Sequence, residues 1–164
     1  MFRQILMATA LAVSTGAAVA PACAAPALGK ASENAIYAQT LVNDEMSKHP
    51  ELLVLGMHAT KPGAKGSHMI AANLDRIGKD DDDDDIAVAK ERKTILAPNI
   101  KEPTKFEVAV PLKDASGQVI GSLSTVFKYA AGDDEVKMHI AAVAIRDDLA
   151  KKIPNVAALF KPAH

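Results

Sequence analysis

Six consecutive aspartates, Asp80 to Asp85, stand directly ahead of the apolar run Ile86-Ala87-Val88-Ala89. Adjacent carboxylates can hold a hard cation, repel one another, or open a helix. A calcium loop draws on alternate residues around a glycine bend, and this run has no internal glycine. Lys90, Arg92 and Lys93 lie at the far end of the segment, so its charges follow the helix dipole, negative first and positive last. The run is therefore read as a helix start, and neither a metal site nor a cofactor is expected. The five histidines, His49, His58, His68, His139 and His164, form no HExxH, and no G-x-S-x-G element occurs. Asp133-Asp134 and Asp147-Asp148 are neighbours that point about 100° apart on a helix rather than converging as an acid/base pair. The sequence points away from an enzyme.

The candidate residues must be positioned by a domain, and 164 residues suit one. The opening stretch "MFRQILMATALAVSTGAAVAPACAA" has Arg3, an apolar segment from Ile5 to Ala12 and small residues before a cleavage point, the pattern of a secretory signal peptide. Residues 1–24 are assigned to that signal, 25–31 to a linker and 32–164 to one domain. Cleavage after Ala24 would leave no cysteine; the competing reading keeps Cys23 as a lipidated first residue. Export without disulfides suits a periplasm. The formal net charge is −1, with four Phe, two Tyr and no Trp, and no basic stripe. That excludes nucleic acid as a partner.

Ser32 and Glu33 are positioned to open a helix whose apolar stripe is Ala35, Ile36, Ala38, Leu41, Val42 and Met46, ending at His49-Pro50. "ELLVLGMHAT" and "SHMIAANL" have strand length and are separated by the turn "KPGAKG". In "TKFEVAVPL", Phe106, Val108, Val110 and Leu112 share a face at period two. Asp114-Ala115-Ser116-Gly117 turns the chain into "QVIGSLSTVFKY", with Gly121, Leu123, Thr125 and Phe127 on one face and Ser122, Ser124, Val126 and Lys128 on the other. Asp133-Asp134-Glu135 then opens a long helix with Val136, Met138, Ile140, Val143, Ile145, Leu149 and Ile153 as its apolar residues. Val156, Leu159 and Phe160 are expected to fold back onto the body. The order implies an α+β domain: an antiparallel sheet of about five strands with long N-terminal and C-terminal helices.

Two stretches carry a family likeness. "HMIAANLDRIGK" and "VPLKDASGQVIGSLSTVF" resemble the strand-to-turn segment and the hairpin of extracellular Cache (PAS-like) sensor domains, over about residues 41 to 129. The resemblance implies a sheet with helices on one face and a small-molecule pocket on the other. It departs from the usual layout in having one module, no membrane anchor and no output region, so output would pass to a membrane receptor or sensor kinase. On the face with small side chains, His58, Asn73, Arg76, Ser122, Ser124 and Lys128 are expected to line the pocket, with Arg76 or Lys128 holding an anionic group such as a carboxylate. The expectation is a periplasmic small-metabolite-binding sensory or accessory protein. The alternative is a non-enzymatic interaction module without a pocket, pairing with itself or a receptor through its helices.

Overall fold

The computed structural model describes residues 36–163. The signal segment, the linker and the proposed Ser32 cap lie outside the described residues. Helix α1 (Tyr37–Lys48) leads to β1 (Leu52–Ala59), β2 (His68–Ala72), α2 (Asp83–Glu91), β3 (Ile95–Pro98), β4 (Lys105–Lys113), β5 (Val119–Lys128), α3 (Glu135–Lys152) and the short α4 (Val156–Leu159). The five strands form one antiparallel sheet in the order β2-β1-β5-β4-β3. The expected architecture is present. Ile36, expected inside the first helix, is instead extended at its N-cap and bridges Pro162.

One face of the sheet holds the core. Leu55, Met57 and Ala59 of β1, Phe106, Val108, Val110 and Leu112 of β4, and Leu123 and Phe127 of β5 pack with Leu41 and Val42 of α1 and Ala142, Ile145, Leu149 and Ile153 of α3. Each fully buried Leu or Ile contributes about 1.5–3 kcal/mol, so this single layer outweighs any polar contact elsewhere. The α3 stripe is narrower than the sequence suggested. Val136 and Ile140 are 65% and 61% exposed, because the buried positions recur along Ala142, Ile145 and Leu149 and leave those two on another side.

The hairpin turn is pinned as its composition required. Asp114 Oδ1 accepts hydrogen bonds from the Ser116 and Gln118 amides and the Ser116 hydroxyl, and Gly117 adopts a φ of 82°. The tail folds back: Leu159 is fully buried and Tyr37 N donates to Lys161 O. β3 was not anticipated. It is four residues long, ends in Pro98 and lies at the sheet edge, where a proline's missing N–H is tolerated.

The opposite edge is covered. The segment after β2 turns at Gly78, whose φ is 89°, and returns antiparallel, with Met69 N donating to Lys79 O and Asp81 N to Ser67 O. This return places Asp81 beside the end of β1. Asp82 then caps α2 by accepting from the Asp85 amide, which carries the chain onto the second face of the sheet.

Candidate functional site

The second face carries Gly56 and His58 from β1, Lys105 and Glu107 from β4, and Ser122 and Ser124 from β5. Strand alternation and register set this grouping, since His58 pairs with Ser122, and Gly56 and Ala109 both pair with Ser124. α2 and the residue 75–82 segment close over this face and leave a cleft of about 190 Å³. That is below the roughly 300–1,000 Å³ of sites for drug-sized ligands, so the space suits a compact molecule. Its charged lining is mixed, with the cations Arg76, Lys79 and Lys105 against the acids Asp80, Asp82, Asp85, Glu102 and Glu107, and Glu102 already holds Lys105 at 2.6 Å.

His58 is 5% exposed and lies where β1 and β2 slip register between Met57 and His58. Its Nδ1 lies 2.7 Å from Asp81 Oδ1 and 3.4 Å from Asp85 Oδ2. Because an ionised carboxylate only accepts, the short contact is an Nδ1–H donated to Asp81. Ser122 Oγ donates to Asp85 Oδ1 at 2.9 Å and Ser124 Oγ to the same oxygen at 3.3 Å. Burial pushes the Asp85 carboxyl above its usual range; the His58 ring and the Ser122 hydroxyl oppose this, while Asp81 and Asp82 reinforce it. Glu107 is raised likewise, by burial first and then by the charges of Asp85, Asp82 and Asp84.

Of the residues expected to line a pocket, His58, Arg76 and Ser124 border the cleft, and Ser122 lies beneath it holding Asp85. Two placements are corrected. Asn73 is bound to the backbone of β1, accepting from Leu55 N and donating to Leu53 O, each at 3.0 Å. Lys128 is exposed at the end of β5 and does not border the cleft. Asp81, Asp85, Lys105 and Glu107 were not anticipated. Glu107 was legible, since it alternates with Phe106 and Val108 and must share the serine face. The aspartates were hidden by their uniformity, because separating Asp81 and Asp85 from their neighbours requires knowing where α2 begins.

No protein-family model and no curated protein sequence matches this chain. Among solved structures, it is similar to the nlh2 GAF domain of A. aeolicus in an inactive state, with TM-score 0.55 and 12% identity over 70% of this chain and 82% of that one. It is also similar to the type II free methionine-R-sulfoxide reductase of Thermoplasma acidophilum, with TM-score 0.51 and 18% identity over 76% of this chain and 92% of that one. The fold is GAF-like. At these identities the likeness is one of architecture, and one of the two neighbours is an enzyme, so the architecture alone does not separate sensing from catalysis.

Proposed function

We propose that this chain is an exported, Cache-like sensory or accessory domain that binds a small polar metabolite and passes the signal to a separate receptor. The observation that carries this reading is the cleft on the face opposite the core, lined by Arg76, Lys79 and Lys105 together with Asp80, Asp82, Asp85, Glu102 and Glu107. Such a lining matches a compact ligand bearing both an anionic and a cationic or donor group, with the anion held by charge-assisted hydrogen bonds. The likeness in fold to a GAF domain is in keeping with the reading, and the apolar segment at residues 5–12 supports export.

Thermal shift against amino acids, carboxylates and amines tests this directly, because a ligand that binds only the folded state raises the melting temperature by mass action. At least one compact zwitterion or carboxylate is expected to do so, with the effect lost in Arg76→Ala or Lys105→Ala. No stabilising compound, together with a concentration-dependent dimer, would favour a second reading. In that reading Val136 and Ile140, exposed one turn apart on α3, form a pairing face.

A further inference from the structure

His58, Asp81 and Asp85 meet where β1, the returning segment after β2 and α2 converge, and one donor atom from each lies within 4.8 Å of the others. Atoms bound to one tetrahedral ion at about 2.0–2.1 Å sit roughly 3.3 Å apart. The contacts of 2.7 and 3.4 Å from His58 Nδ1 bracket that spacing. Hydrogen bonding among the three leaves one buried oxygen unaccounted for. The Asp81 side chain is 2% exposed, yet its Oδ2 has no hydrogen-bond partner. The two oxygens of a carboxyl share one carbon, so this unpartnered acceptor belongs to the same cluster as the His58 contact.

Among the described residues, no Lys or Arg nitrogen lies within 4.0 Å of Asp81 or Asp85. Buried carboxylates without a cationic partner are costly, and one dication would serve both. The outer contacts are in place as well. Both serine hydroxyls take Asp85 Oδ1, which leaves Oδ2 turned to the imidazole, the kind of support that orients a ligating carboxylate.

We propose that His58, Asp81 and Asp85 form a binding site for a divalent first-row transition ion such as Zn²⁺ or Mn²⁺. The ion is held by His58 Nδ1 and by one oxygen from each carboxylate. For Nδ1 to ligate, its proton moves to Nε2, so the neutral ring binds as the Nε2–H tautomer with no net change in its charge. An imidazole donor favours such ions over calcium, which takes six to eight oxygens. Three protein donors leave further positions for water or for a molecule in the cleft, which His58 and Asp85 border. This site stands beyond the metabolite reading and does not depend on it.

The test is calorimetric titration of the EDTA-stripped protein with Zn²⁺, with Mn²⁺ and with Ca²⁺, paired with ¹⁵N NMR of the histidine rings under Zn²⁺. A single ion per chain is expected, with the His58 Nδ1 resonance moving most. Asp81→Asn and Asp85→Asn should each weaken binding at least tenfold, by analogy with the 10–100-fold losses seen at metal-site partners. The double variant Asp83→Asn, Asp84→Asn should bind like the wild type, because both side chains lie on the exposed outside of the run. No saturable binding of either ion by the folded wild type, or an unmoved His58 ring, overturns the proposal whatever the variants do. So does binding that survives Asp81→Asn but is lost in the outer double variant, which would mean adventitious capture by surface acid, or calcium binding as tight as Zn²⁺. Metabolite shifts measured in EDTA report the cleft separately.

Discussion

At Gly121 of β5 the backbone of β1 leaves no room for a side chain, and replacing it with alanine tests whether the sheet really brings His58 to the serine strand. A Cβ there would overlap the His58 carbonyl oxygen and stand 3.0 Å from its carbon and 3.3 Å from Ala59 Cα, where ordinary contacts are 3.4–4 Å. All three neighbours are backbone, so no side-chain rotation relieves the clash. Relieving the overlap requires the two backbones to move apart at that point. Overpacking costs about 1–3 kcal/mol and occasionally more, and a clash between two paired backbones belongs at the upper end, about 3 kcal/mol. With roughly 3–4 °C lost per kcal/mol for a domain of this size, Gly121→Ala should melt about 10 °C lower. Heat and urea denaturation give the stability, and the His58 ring resonances report its displacement. Gly56→Ala is the control, because its Cβ would meet only the ends of side chains, Met69 Cε at 3.4 Å and His58 Nε2 at 3.6 Å. Gly121→Ala melting within about 2 °C of wild type, a shift ordinary for a surface change, would refute this strand register and the site built on it.

Gly56→Ala, which adds a methyl to the cleft wall while leaving the strand intact, should keep stability within about 1 kcal/mol and weaken any cleft ligand severalfold, as measured by calorimetry. Asn73→Ala should cost about 1–3 kcal/mol in urea unfolding by orphaning the Leu55 amide and Leu53 carbonyl, yet leave ligand affinity unchanged, since Asn73 does not border the cleft. Glu45 gives a pH dependence. Burial alone would raise its carboxyl, but the Lys152 and Lys48 ammonium groups outweigh that and hold it below the ordinary 4.5. A depressed folded pKa means its contribution is complete above about pH 4.5, the unfolded range, and is lost as pH falls through the folded value. Unfolding free energy should therefore decline below pH 4.5, with a shallower decline in Glu45→Gln. At neutral pH that variant should lose about 1–2 kcal/mol, because both lysines can turn to water.

The hairpin was legible because two signals coincide: period-two alternation in Phe106 to Leu112 and in Gly121 to Phe127, joined by a turn whose Asp114 and Gly117 fix the register. With register fixed, the serine face followed. The end of α3 was legible too, since Lys151 and Lys152 precede Pro154. What stayed hidden depended on tertiary pairing. β3 is a strand because β4 offers it an edge; its four residues carry too little alternation to declare it. Asp81 is in place because Ser67 and Met69 pair with the returning chain, a contact with no local signature. Asn73 was misplaced for the same reason: its side chain is bound to a strand eighteen residues earlier, which a strand-ending Ala-Asn step does not disclose.

The central claim is that the sheet face opposite the core holds a small ligand above His58, Asp81 and Asp85. Backbone and side-chain NMR of the labelled protein, titrated with the compound that most raises its melting temperature, tests this most directly. Shifts should concentrate on His58, Arg76, Asp85, Lys105, Glu107 and Ser124 and leave α3 still. Shifts centred on Val136 and Ile140, with the His58 ring unmoved at saturation, would contradict it.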